Sequence, residues 1–195
     1  MAIGDYVNHL ILSVFLIVGA YQFYFWCQRQ QIRAARGMEL AIDRMIPYRP
    51  GWVWIYSFLY YPIILYVNLI VESPRHFAEI AVSYLFLLFS QMAFFLLFPV
   101  ETPESWRQLN RRRNLSERFL AFVQGFDQRS NCFPSMHCSV AMLTSMHLYP
   151  TLGPVAFTFT ALIGISCLFT KQHYVADLPA GILLGWAIYE IFPFS

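Results

Sequence analysis

Phe133-Pro134-Ser135-Met136-His137 is the first of two polar blocks that decide the fold of this chain. The second block, which ends the stretch, is Thr170-Lys171-Gln172-His173-Tyr174-Val175-Ala176-Asp177. Most of the residues between these two polar blocks are apolar. Ionisable groups are costly to bury in apolar surroundings, so their presence there marks functional positions. The histidines, the lysine and the aspartate of the two blocks are therefore the first candidates for a functional site.

The composition indicates a membrane protein. Hydrophobic residues make up 58% of the 195 residues and charged residues only 12%, whereas soluble domains average about 25% charged residues. The net charge of +2 and the lack of a basic patch argue against a nucleic-acid partner. The length predicts a single domain, residues 1–195. The lipid bilayer is the expected surrounding, and the oligomeric state is not predicted.

Six apolar runs approach the length that crosses a bilayer, about 17–25 residues. They are approximately Leu10–Cys27, Gly51–Val71, Phe77–Val100, Ser135–Tyr149, Val155–Thr170 and Tyr174–Phe192. Pro150 and Gly153 separate the fourth run from the fifth. Residues 1–10 include Asp5 but no Lys or Arg, so we expect a retained first span and not a cleaved signal. The predicted fold is all-α, with six transmembrane helices.

Counting the crossings puts the two polar blocks on one side of the membrane. The loops after the third and fifth spans fall on the same face, so His137 and His173, 36 positions apart, should meet at one depth. Of the 13 Lys and Arg residues, 12 lie on that side and only Arg75 lies opposite. The positive-inside rule makes that side cytoplasmic. A phosphate site would attract the same cations, so the five arginines after the first span carry this argument. A bacterial inner membrane or an equivalent membrane is the expected location.

The chemistry of the two blocks fits a nucleophile and an acid. His173 and Asp177 stand four residues apart, on one face of a helix start. A carboxylate on one ring nitrogen fixes the tautomer and leaves the other nitrogen free as a nucleophile. Ser135 suits a helix N-cap, where unpaired amides bind phosphate, and His137 is then placed to protonate a leaving oxygen. A buried His–Asp pair can also serve the structure alone.

Together the blocks resemble the type 2 phosphatidic acid phosphatase superfamily of membrane lipid phosphatases and phosphotransferases. Its Pro-Ser-Gly-His motif reads Pro134-Ser135-Met136-His137 here, and its Ser-Arg-x5-His-x3-Asp motif reads Ser166-Cys167-x5-His173-x3-Asp177. The residues of the two blocks are most similar to those of the branch that includes sphingomyelin and inositol phosphorylceramide synthases. The family's first motif, Lys-x6-Arg-Pro, is not found. Arg49-Pro50 looks like its end, but position 42 is Ile42 and the segment follows the first span.

The resemblance implies a catalytic scheme and a substrate, a membrane lipid phosphate or phospholipid. His173 would attack phosphorus and form a phosphohistidine, Asp177 would orient it, and His137 would protonate the departing oxygen. No cofactor and no metal are expected. The first motif and the arginine of the third motif, which bind phosphate in the family, are missing, so other residues would have to bind the phosphoryl oxygens. The candidates are Ser135, Lys171, Arg107, Arg111 and Arg112.

Several alternatives stay open at this point. Water as the acceptor makes the protein a lipid phosphate phosphatase, which we place first, and a lipid alcohol makes it a phosphotransferase. A non-enzymatic bundle whose two histidines bind haem or a metal is the rival from another class, and a pure scaffold is a third.

Two predictions concern residues outside the motifs. The four cysteines form no CxxC pair, so we expect free apolar thiols and no structural zinc site. They are Cys27, Cys132, Cys138 and Cys167. The segment 28–46, which carries several arginines, is predicted to lie along the headgroups as an amphipathic anchor.

Overall fold

The computed structural model describes residues 3–30, 32–127 and 129–192, and within these residues the fold is all-helical, as predicted. The α-helices are α1 (Ile3–Arg29), α2 (Ala41–Met45), α3 (Tyr60–Tyr66), α4 (Pro74–Leu97), α5 (Glu104–Gln108), α6 (Leu115–Phe126), α7 (Met136–Leu152), α8 (Phe157–Phe169) and α9 (Asp177–Ile191). Short 3-10 and π turns extend α3 at both ends, so that Pro50–Ile70 is one helical run.

Four helical runs in the described part of the chain are long and apolar enough to cross a membrane. They are Ile3–Arg29, Pro50–Ile70, Pro74–Leu97 and Met136–Phe169. The fourth run has 34 residues because a 3-10 turn, Gly153–Ala156, joins α7 to α8 without a gap. Helix α9 has 15 residues, fewer than the roughly 20 that span a bilayer. The structure thus shows four candidate spans where the sequence predicts six.

The fourth run is a helical hairpin and not one rod. The Ser145 hydroxyl in α7 donates to the Ala156 carbonyl oxygen at 2.8 Å and lies 2.8 Å from the Thr160 hydroxyl oxygen in α8. In a straight helix, residues 15 apart would be separated by about 22 Å. The chain reverses just after Pro150, at Gly153, whose φ of +57° suits a residue without a Cβ. Helices α7 and α8 therefore run antiparallel, and the predicted break between the fourth and fifth runs is confirmed.

Helices α7 and α9 approach each other closely. A Cβ atom at Gly181 would collide with the Ser135 carbonyl oxygen, and one at Gly185 would collide with the Ser139 carbonyl oxygen. The absence of side chains at these two positions of α9 lets the backbone of α7 lie against it. This contact fixes the start of α7, which carries one polar block, against the start of α9, which follows the other.

Candidate active site

The His173 ring is held by two acceptors on one nitrogen. Its Nδ1 lies 3.3 Å from Asp177 Oδ2 and 3.1 Å from the Cys132 carbonyl oxygen. Since both partners are acceptors, Nδ1 carries the proton, and Nε2 keeps its lone pair when the ring is neutral. The Tyr174 N–H donates to the same Asp177 oxygen at 2.9 Å and fixes the carboxylate. These contacts fix the orientation of the imidazole and leave its Nε2 without one of these acceptors.

Burial and charge act in opposite directions on this ring. His173 is 6% exposed and Asp177 is fully buried. Burial on its own lowers the pKa of His173, but the hydrogen bond to Asp177 and the charge of that carboxylate outweigh it, so the pKa lies above its ordinary value of 6.5. Asp177 Oδ1 has no hydrogen-bond partner among the described residues. The carboxylate thus contacts the loop that carries His173 (residues 170–176, the His173 loop) through one oxygen only.

His137 faces His173 from the first turn of α7. The two ring centroids are 5.9 Å apart and the ring planes are inclined by 65°. The other side of His137 stacks on Tyr56 at 4.2 Å, and its Nδ1 lies 3.4 Å from the Tyr56 hydroxyl oxygen. The structure therefore brings the two histidines of the two sequence blocks to one point.

Ser135 is the N-cap of α7, as predicted. Its hydroxyl accepts a hydrogen bond of 3.3 Å from the Cys138 N–H. Its own N–H donates to the Asp177 carbonyl oxygen at 3.1 Å, so a backbone hydrogen bond joins the two blocks directly. The Ser135 side chain is fully buried. Its hydroxyl contributes to the helix start that carries His137.

A cavity of about 380 Å³ opens beside His137. Gln172, Asp127 and His137 line it, together with mostly apolar and aromatic side chains of α1, α3, α4, α6 and α7. Asn68 and Phe77 also line it, and they lie toward the other end of the bundle. The volume is at the lower end of the range of small-molecule sites, roughly 300–1,000 Å³. The cavity gives an apolar group access to His137 from between the helices.

Comparison with known families agrees with this geometry. The sequence profile of the PAP2 superfamily matches residues 49–191, which is 143 of the 195 residues and includes both polar blocks. The chain belongs to the PAP2 superfamily. Members of that superfamily are generally phosphatases or phosphotransferases. A search of the curated proteins finds no match to this chain, and neither does a search of the solved structures.

The cations predicted to bind phosphate in this PAP2 protein have other partners. The Lys171 ammonium is buried, donates to the Asp43 carbonyl oxygen at 2.6 Å and lies 4.8 Å from the centre of the Trp106 ring. Arg107 donates to the Gln124 carbonyl oxygen at 3.0 Å and lies 3.6 Å from Asp127.

Arg111 and Arg112 are both exposed, between α5 and α6. The described contacts therefore bring Ser135, His137, His173 and Asp177 together and leave the four candidate cations outside that group. Phosphate binding by those cations stays a prediction.

Asp43 is a residue of the site region that sequence reasoning missed. Its carboxylate is 1% exposed and accepts from the Val175 N–H and the Leu40 N–H, each at 2.7 Å. With the Lys171 contact, Asp43 holds the loop of His173 on two sides. The segment 28–46, predicted to lie along the headgroups, thus packs in part against the loop that carries His173. Asp43 and Val175 are 132 residues apart, and no sequence motif links them.

The four cysteines are free and buried, as predicted. Cys167, which stands at the arginine position of the resembled motif, lies next to the two histidines. A ring nitrogen of each histidine and the Cys167 sulfur lie within 4.8 Å of one another, and so do ligand atoms of Cys132, His173 and Asp177. Both groups contain His173 and have donors suited to a metal ion.

Proposed function

We propose that this PAP2 protein is an integral membrane phosphatase that cleaves a lipid phosphate monoester through a phosphohistidine. The observation that carries the proposal is the His173 ring, with Nδ1 held by Asp177 and the Cys132 carbonyl while the ring faces His137. A nucleophile oriented by a third group, with an acid within reach, is the arrangement that covalent catalysis requires.

In the first step, His173 Nε2 attacks phosphorus as the bond from phosphorus to the lipid oxygen breaks. His137 gives its proton to that oxygen, and the lipid alcohol leaves. Asp177 stabilises the positive charge that develops on the His173 ring. In the second step, His137 takes a proton from water, the water oxygen attacks phosphorus, and the nitrogen–phosphorus bond breaks to release phosphate.

The first backbone amides of α7, with Ser135, would hold the phosphoryl oxygens in both steps. The membrane cavity supports a lipid as the substrate. Its lining includes His137 and is otherwise mostly apolar, so the alkyl chain would lie in the cavity with the ester oxygen at His137. Asp127 also lines the cavity, where Arg107 lies 3.6 Å from it and burial raises the pKa of the carboxyl. The neighbouring arginine and the raised pKa both lessen the repulsion that a carboxylate there would exert on the lipid phosphate.

We further propose a six-span topology, with α7, α8 and α9 as the last three spans. The antiparallel α7–α8 hairpin supports it, because each arm carries the chain across once. The arginines after α1 then favour the cytoplasmic side for His173 in a bacterial inner membrane or an equivalent one. Labelling of single cysteines introduced at Arg33 and Arg75 tests this, since the two positions should be accessible from opposite sides.

The deciding experiment uses purified full-length protein in mixed micelles with a panel of lipid phosphates. Free phosphate and lipid products are followed together for wild type, His173→Ala and His147→Ala. His147 is a buried histidine in the same helix as His137 but away from the site, so its variant controls for loss of a buried ring. Phosphate release that needs His173 and survives loss of His147 is expected. Full turnover by folded His173→Ala would falsify the proposal.

The same measurement separates hydrolysis from transfer. A lipid alcohol in place of water in the second step gives a new phospholipid and no free phosphate, with His173 still required. This alternative is motivated by the resemblance of the motif sequences to those of the sphingomyelin and inositol phosphorylceramide synthases. If a phospholipid product appears only when a second lipid is added, the protein is a phosphotransferase and not a phosphatase.

A further inference from the structure

Cys167 places a thiol against the two histidines of the site. A ring nitrogen from His137, one from His173 and the Cys167 sulfur all lie within 4.8 Å of one another. Cys167 is fully buried at the end of α8, and His173 is 6% exposed. Three donors from three separate elements converge here, although the residues are 30 and 36 positions apart from His137 in the chain.

The donor set matches soft divalent metals. Two imidazole nitrogens and one thiolate sulfur are ligands that zinc takes in open sites, with a fourth position left for water. Zinc bonds are about 2.0–2.3 Å long, so ligand atoms at such a centre lie roughly 3.5 Å apart. Closing the group around an ion requires shifts of about 1 Å or a little more, which rotation of the side chains about their χ angles can supply.

The surroundings already supply the outer contacts of a metal site. Metal-bound histidines generally give their other N–H to a carboxylate or a carbonyl, which fixes the ring. His173 does this with Asp177 and the Cys132 carbonyl, and His137 Nδ1 lies 3.4 Å from the Tyr56 hydroxyl. The nitrogen of His173 that remains for an ion is Nε2.

The charges of the group favour a cation. A doubly charged ion would be neutralised by the Cys167 thiolate together with the Asp177 carboxylate. The nearby cations are directed elsewhere, since Lys171 contacts Asp43 and Trp106 and Arg107 pairs with Asp127. Where the resembled motif has a positive arginine, this chain has a group that becomes negative when it binds metal.

We propose that His137, Cys167 and His173 form a binding site for a divalent ion of the zinc class, and that the bound ion blocks phosphoryl transfer. Binding releases the thiol proton of Cys167 to the buffer and uses the Nε2 lone pair of His173, which then cannot attack phosphorus. The binding half stands without the proposed function, and only the blocking half rests on it.

The test of binding uses Co²⁺ and Zn²⁺ with the metal-free full-length protein in detergent. One Co²⁺ per chain should give a thiolate-to-cobalt charge-transfer band that disappears in Cys167→Ser and persists in the matched variant Cys132→Ser. X-ray absorption of the zinc-loaded wild type should show one sulfur and two imidazoles, and it needs no variant. No band in wild type, or loss of the band in Cys132→Ser instead, would overturn the proposal in favour of no site or of the Cys132 group.

The test of blocking measures turnover against Zn²⁺ concentration, with each variant referred to its own metal-free rate. Wild type should lose activity and regain it with a chelator. Cys167→Ser should need more zinc by at least the roughly 10- to 100-fold that loss of a weaker, outer-shell contact costs. A charge-transfer band without inhibition would keep the metal site and reject the blocking step. Absent turnover in metal-free wild type would instead reject the phosphatase proposal.

Discussion

The N–H of Ser135 donates a hydrogen bond of 3.1 Å to the carbonyl oxygen of Asp177, which joins the start of α7 to the start of α9. Ser135 leads into the helix that carries His137, and Asp177 orients His173. The spacing of the two histidines is therefore set by backbone contacts and not only by flexible side chains. Fixed placement of reacting groups is a large source of catalytic rate in enzymes.

Asp177→Asn should shift the pH dependence of turnover. The raised pKa of His173 means that its protonated form stabilises the fold fully below about pH 6.5 and that this stabilisation is lost as pH rises through the folded pKa. The attacking ring must be unprotonated, so kcat/KM should rise through the same window. Without the carboxylate charge, burial dominates and the pKa falls, so the rising limb should move to lower pH.

The maximal rate of Asp177→Asn should also fall, by roughly 10²–10⁴-fold, because the charge on the phosphorylated ring loses its counterion. A pH series of kcat/KM for wild type and variant measures both effects. An unmoved rising limb would show that Asp177 does not set the protonation of His173.

His137→Gln should act differently on good and poor leaving groups. An alkyl phosphate needs a proton on its departing oxygen, so its turnover should fall by roughly 10²–10⁴-fold. An aryl phosphate with an acidic phenol as leaving group needs little help, so its turnover should fall much less. The measurement compares both esters in one micelle system, with His173→Ala as the variant that should lose both. Equal losses in His137→Gln would remove the acid role.

Asp43→Ala should weaken the loop that carries His173. The half-buried Val175 N–H would lose its acceptor, at up to about 1–3 kcal/mol of unfolding free energy. The Leu40 N–H would also lose its acceptor, but this residue is exposed and water can replace the contact. Because Asp43 acts through the position of His173, kcat should fall while KM changes little and the midpoint of the pH profile stays in place. Asp43→Asn keeps an acceptor oxygen and should be intermediate.

The matched control for Asp43 is Glu39→Ala in the same segment. Glu39 pairs with Arg44, whose side chain is 74% exposed, and exposed pairs contribute about 0–1 kcal/mol. Thermal unfolding and steady-state kinetics of Asp43→Ala, Asp43→Asn and Glu39→Ala test whether Asp43 positions His173. An Asp43→Ala protein as active and stable as Glu39→Ala would contradict a positioning role.

Gly181→Ala should separate α9 from α7. The added Cβ meets the Ser135 carbonyl oxygen, a backbone atom that cannot rotate away, and overpacking of this kind costs about 1–3 kcal/mol or more. Gly19→Ala in α1 is the control, because a Cβ there meets nothing within 4 Å. Denaturation in detergent should rank Gly181→Ala well below Gly19→Ala, and the phosphatase rate should follow. Similar midpoints for both would show that the helices can adjust.

The sequence was sufficient for the groups that motifs and crossings define. Counting spans predicted that His137 and His173 meet, because the number of crossings fixes which loops share a face. Residue type predicted the Ser135 cap. Asp43 could not be found this way, since its partner Val175 is distant in the chain. The Cys132 carbonyl could not be found either, because every residue has one and only the fold selects it. The separation of Lys171 from the histidine pair likewise depends on Trp106 and Asp43, which no pattern connects to it.

Helices α1 and α8 differ in length by about a factor of two. With about 1.5 Å per residue, α1 with 27 residues is about 40 Å long, whereas α8 with 13 residues is about 20 Å long. In the proposed six-span topology, a hydrocarbon core about 30 Å thick would be matched by tilt of α1 and by thinning of the bilayer beside α8. Such thinning would lower the phosphate plane of the surrounding lipids toward the end of α8, where the His173 loop begins. Membrane thickness would then act on turnover, with thicker bilayers holding the substrate phosphate above the nucleophile.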